Sequence, residues 1–179
     1  MSAPTLSDPD DLMASGKYMG YSYEVVANRH FGTLNGYIKL FTRHPWNRHL
    51  KYTDETGGDL DRVSIPVIIH GGITFIGRDA NTSNYWLGID FAHGFDGNDL
   101  SLIKDPIFKE IVRGFDNFST KQSKKHVWKT KEVEKELFCL IEQAALASGK
   151  PLQSFLNHKW TDKRSEEQYR AIIGKEINL

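Results

Sequence analysis

The sequence predicts an α+β fold: an antiparallel β-sheet packed against one long helix, with short helices at the C-terminus. Three observations carry this. Two runs rich in β-branched and aromatic residues, Ile65 to Ile76 and Tyr85 to Ala92, flank the turn formers G-R-D-A-N-T-S-N and read as a β-hairpin. Two more such runs, near Tyr21 to Ala27 and Tyr37 to Leu40, flank F-G-T-L-N-G, in which Asn35-Gly36 is a strong turn dipeptide. From Thr130 to Ser148, Val133, Leu137, Leu140, Ile141 and Ala144 recur at helical spacing.

Taken in order, residues 1–16 are small, polar and acidic and predict a flexible arm. Residues 17–149 form the α+β core domain, and 150–179 a C-terminal helical appendage suited to docking or dimerisation. After the second strand, R-H-P-W-N-R-H-L places two histidines, two arginines and a tryptophan in one loop, and Pro45 forbids a helix through His44. The run T-D-E-T-G-G-D-L-D is an acidic connector into the central hairpin. Past His93, G-F-D-G-N-D fails the spacing of a twelve-residue calcium loop and reads as a mobile loop, although Asp96 and Asp99 offer metal oxygens. A short amphipathic helix follows Asp105-Pro106, with Ile107, Phe108 and Ile111 facing inward and Gly114 as its stop. Thr130 caps the long helix, and Gly149 with Pro151 ends it.

The 179 residues suit one domain with a proper core. Twenty-three basic against 23 acidic residues leave no net field toward nucleic acid or an anionic membrane. One cysteine, Cys139, excludes an internal disulfide and a cysteine-based zinc cluster. No apolar run approaches the roughly 20 residues that span a bilayer, and the N-terminus lacks a signal pattern. A soluble, cytoplasmic protein is expected.

The polar residues inside the central hairpin carry the chemistry. Closing it at Ile76 and Asn84 makes partner numbers sum to about 160, which sets His70 opposite Asp90 with Cβ atoms about 5 Å apart. A slip of one residue would send the two to opposite faces. His93, just past the strand, returns to the same place. Gly71 and Gly72 mark a bulge or a close approach by another group. Thr74 and this glycine pair admit a phosphate, Arg43, His44 and Arg48 supply basic groups, and Trp86 and Trp46 supply stacking surfaces.

The series L-N-G-Y-I, H-P-W, H-G-G-I-T-F-I-G, W-L-G-I-D-F-A-H-G-F-D and E-V-E-K-E-L-F-C-L-I-E-Q-A, over residues 34 to 145, resembles a group of uncharacterised bacteriophage and prophage proteins. The resemblance implies an accessory protein working in the cytoplasm of a bacterial host, in the setting of counter-defence. Arg43 stands where that group has a glycine, and the N-terminal arm and C-terminal tail lie outside its pattern.

The first functional expectation is an enzyme cleaving a phosphodiester or related nucleotide bond. His70 oriented by Asp90 is the base, and His93 or His44 the acid, both near neutral pH. A metal version would use His44, His70, Asp90 and His93, but no H-E-x-x-H motif supports it, so no metal site is assigned and the cofactor stays open. The alternative is a non-catalytic binder, a nucleotide sponge or an inhibitor of a host protein, with homo-oligomerisation through the tail. A third reading makes His70 and Asp90 a buried structural pair. The tripeptide H-G-G is too short to indicate the H-G-T strand of ADP-ribosyl-transferring folds.

Overall fold

Five strands form one antiparallel sheet in the order β1-β2-β3-β5-β4, in a computed structural model that describes residues 10–50, 65–79, 82, 84–119 and 125–177. The strands are β1 (Leu12–Tyr18), β2 (Tyr21–Asn28), β3 (Thr33–Leu40), β4 (Phe75–Arg78) and β5 (Tyr85–Asp90). The expected α+β architecture is therefore present. β1 reaches back to Leu12, into the stretch expected as a flexible arm, because the edge of β2 offers it a ladder from Tyr18–Tyr21 to Leu12–Val26. Residues 1–9 and the acidic connector lie outside the described residues.

The β1–β2 link is a two-residue turn, Met19 and Gly20, with both φ values positive at 48° and 88°. Such turns match the twist of the strands they join. The β2–β3 turn lies at Arg29 to Gly32, not at Asn35-Gly36. Asn28 Oδ1 accepts the amides of His30 and Phe31, and Gly32 takes φ +68°. Asn35 and Gly36 sit in mid-strand, paired with Val26 and Val25 on one side and Asp90 and Ile89 on the other. The glycine is needed there for packing, since a Cβ on Gly36 would stand 2.9 Å from Leu137 Cδ2.

Helix α1 spans Pro106–Ser119, α2 Thr130–Ala147 and α3 Lys163–Ile177, with a 3-10 turn at Leu152–Phe155 before α3. The expected stripe of α2, Val133, Leu137, Leu140, Ile141 and Ala144, is fully buried and lies against β1, β2 and β3 over Val25 and Ile38. Lys129, not Thr130, is its N-cap, and Glu132 Oε2 accepts the Lys129 amide at 2.8 Å. Phe155 on the 3-10 turn and Tyr169 on α3 join the same core, and α3 packs on α2. Cys139 is buried beside Ser165 at 3.2 Å, and burial pushes its thiol up.

Helix α1 exposes the apolar face that is expected to point inward. Ile107, Phe108 and Ile111 are 70, 37 and 47 % exposed, and among the residues of the helix whose side chains are described Val112 is the buried one. Amphipathic spacing identifies the apolar stripe but not what covers it. Gly114 does not stop α1, since a lone glycine weakens a helix by about 1 kcal/mol without ending it. Its start is as expected, with Asp105 Oδ1 accepting the amides of Ile107 and Phe108. Among the described residues, no helix is long and apolar enough to cross a membrane.

Candidate functional site

Regular pairing in the central hairpin is confined to Phe75–Arg78 against Tyr85–Gly88, and further bonds join the Thr74 amide to Gly88 O at 2.8 Å and the Asp79 amide to Asn84 O at 2.9 Å. Residues 65–74 run irregularly, with a turn at His70 and Gly71. Partner numbers sum to 163, as in Phe75 with Gly88 and Arg78 with Tyr85, and not to the expected 160. An odd offset exchanges the faces of a strand. Asp90 therefore lies on the face opposite Ile89 and Phe91 and is not the partner of His70. Its Oδ1 accepts the Ala92 amide and stands 3.7 Å from His93 Nδ1.

The carboxylate that His70 meets is Asp96. His70 Nε2 lies 3.1 Å and His93 Nδ1 3.2 Å from Asp96 Oδ2. The His93 amide donates to the same oxygen at 3.0 Å, and the Asp96 amide returns a bond to His93 O at 2.8 Å. On the other oxygen, Oδ1, Trp128 donates its indole N–H at 2.7 Å. The side chain of Asp96 is 3 % exposed, and those of His70 and His93 are 28 and 31 % exposed. Two imidazoles thus open to solvent above one buried carboxylate. Burial acts to raise the Asp96 carboxyl, but the hydrogen bonds from Trp128, His70 and the His93 backbone outweigh it and hold it below its ordinary value.

Packing fixes the rings. The His70 imidazole stacks on Phe91 at 5.4 Å and 2°, leans on Trp128 at 4.7 Å, and meets His93 edge-on at 5.1 Å. Gly71 and Gly72 take φ +64° and +80°. The group that approaches Gly71 closely is the His93 ring, since an added Cβ would fall 1.9 Å from His93 Cε1. Phe91 and His93 follow directly from β5. The turn at His70 is held to α2 by side chains. Gln143 accepts the Ile68 amide at 2.9 Å and donates to Ile68 O at 3.0 Å, and Glu136 Oε2 accepts the His70 amide at 3.2 Å. Helix α3 braces both, through Arg164 on Glu136 and Gln168 on Gln143.

The remaining expected residues lie elsewhere. Arg43 and His44 follow β3 at the end where Leu40 pairs with Tyr85, whereas the site hangs from the Asp90 end, about 17 Å away along the strand. His44 is buried, its Nε2 on Ala144 O at 2.9 Å and its Nδ1 accepting the Trp46 amide at 3.2 Å. That bonding fixes a neutral Nε2–H ring, and burial pushes its value down against the pull of the Ala144 carbonyl. It is a core histidine, neither acid nor ligand. Arg43 and Arg48 are exposed. Trp46 and Trp86 are each 3 % exposed, Trp86 with Lys39 Nζ 5.4 Å over its ring, so neither presents a stacking surface. Thr74 is half-buried beside β4.

Sequence reading missed Asp96 as the central carboxylate and Trp128 altogether. The H-x-x-D spacing of His93 and Asp96, which closes a reciprocal turn, was the available signal for the first. Nothing local marks Trp128. The stretch G-F-D-G-N-D, expected as a mobile loop, is tied in at both aspartates, with Asp99 bonded to Ser101 and Lys129. His70, His93 and Asp96 each present one ligand atom, all within 4.8 Å of one another, so they are the group able to hold a metal ion among the described residues. Comparison with protein families, with curated proteins and with solved structures finds no match to the chain.

Proposed function

We propose that this chain hydrolyses a phosphodiester or related nucleotide bond at the His70, His93 and Asp96 centre. The observation that supports this most is the convergence of two half-exposed imidazoles on one buried carboxylate oxygen, at 3.1 and 3.2 Å. Such a centre activates water beside a bound ligand: the new O–P bond forms, the P–O bond to the leaving group breaks, and the water proton passes to the departing oxygen. The substrate is a nucleotide or other small anionic ligand. The resemblance of the H-G-G-I-T and W-L-G-I-D-F-A-H segments to phage proteins supports an accessory, counter-defence role in the bacterial cytoplasm. The alternative, a binder recognising its ligand through Trp46 and Trp86, loses support because both rings are buried.

The test is incubation with a panel of mono-, di- and cyclic nucleotides, with product followed by chromatography. Wild type should turn over at least one of them, His70→Gln should lose about 10²-fold or more in rate, and Arg43→Gln should match wild type. Tight binding without product would make the protein a sponge. Silence across the panel would point to a protein partner, and either result ends the hydrolase reading.

A further inference from the structure

We propose that His70 Nε2, His93 Nδ1 and Asp96 Oδ2 bind a divalent transition-metal ion such as zinc, with a further coordination position open to solvent. This rests on the same site as the hydrolytic reading and deepens it by naming what activates the water.

The spacing is the first argument. An ion with nitrogen and oxygen ligands at about 2.0–2.2 Å separates neighbouring ligand atoms by about 2.9 Å in octahedral and about 3.4 Å in tetrahedral geometry. The carboxylate oxygen stands 3.1 and 3.2 Å from the two nitrogens, between those limits. The donor set is the second. Two imidazoles with one carboxylate suit zinc, manganese or iron, whereas calcium and magnesium prefer oxygen throughout.

The surroundings are the third. Outer partners that orient ligands are a regular part of metal sites. Here Trp128 takes Asp96 Oδ1 at 2.7 Å and turns Oδ2 toward the imidazoles, while Phe91 and Trp128 hold the His70 ring. Access is the fourth. The carboxylate forms the buried floor and the imidazoles the half-exposed rim, which places the open position on the solvent side, as in catalytic zinc sites with three protein ligands. There is also an electrostatic reason. The partners of Asp96 are two imidazoles, an indole N–H and a backbone amide, none with a fixed positive charge. A carboxylate so placed repels an anionic ligand, and a divalent ion reverses the sign.

The experiment is calorimetric titration of chelator-treated full-length protein with zinc chloride and separately with magnesium chloride, backed by the visible spectrum after cobalt addition. Wild type should bind one zinc per chain and magnesium far more weakly, and cobalt should give ligand-field bands. His93→Gln and His70→Gln should each weaken zinc by about 100-fold, and Trp128→Phe by about 10- to 100-fold. Both histidines are partly exposed, so these variants keep their thermal melts if Asp96→Asn does not fold. Absence of stoichiometric zinc binding, or unchanged binding in the His70→Gln/His93→Gln double variant, overturns the proposal. Zinc binding without nucleotide turnover would refute the hydrolase and leave the metal site standing. Turnover indifferent to chelator would do the reverse.

Discussion

Gly71 shows how narrowly the site is built. Its φ of +64° and the His93 ring against its Cα both forbid a side chain, whereas Gly72 has a positive φ but open space around it. Gly71→Ala should therefore cost the left-handed penalty of about 1–2 kcal/mol and also displace His93. Gly72→Ala should cost only the backbone part. Denaturant midpoints together with zinc titration separate them: both variants lose stability, and only Gly71→Ala loses zinc. Equal zinc affinity in the two would mean that the ring does not sit against Gly71. At this scale the sequence showed which residue types gather, namely two histidines and a close-approach glycine, but it named Asp90 as their carboxylate. The error lies in the register. A sum of 160 and a sum of 163 differ by an odd number, and turn composition alone cannot tell them apart.

Among the elements, the segment carrying His70 depends on side chains for its position. Through residues 65–74, its backbone bonds to Gln143 and Glu136 of α2 replace a sheet ladder, and Arg164 of α3 locks Glu136 at 2.5 and 3.1 Å. Arg164→Met should free Glu136 and let the His70 turn shift, so zinc affinity should fall several-fold, and the mostly buried Glu136 carboxylate left without its partner should cost about 1–3 kcal/mol of stability. Arg164→Lys should restore part of the affinity. A lowered melting temperature with unchanged zinc affinity would make the clamp purely structural. The stripe of α2 was legible because burial and period coincide there. The polar face of the same helix was not, because Glu136 and Gln143 look like solvated residues until the segment they hold is in place.

For the molecule as a whole, His44 ties the loop after β3 to the C-terminal part of α2 through Ala144. Its folded value is pushed below the ordinary one, so on the acid side the unfolded chain takes up a proton that the folded chain refuses. Its contribution to stability is present above about pH 6.5 and is lost as pH falls below that. Melting wild type and His44→Asn from pH 7 to pH 5 should show the gap between them shrinking, by at most about 1.4 kcal/mol per pH unit. A constant gap would mean that His44 is protonated in the fold. The two halves of the site also hang from parts of unequal permanence. β5 is hydrogen-bonded on both sides, by β3 and β4, and leads directly into Phe91, His93 and Asp96. Strands paired on both sides exchange their amide protons through the larger openings of a fold, whereas a turn held by side chains is expected to exchange through local opening. In hydrogen exchange the backbone of the carboxylate half should therefore stay protected for as long as the fold lasts, and that of the His70 half should exchange sooner.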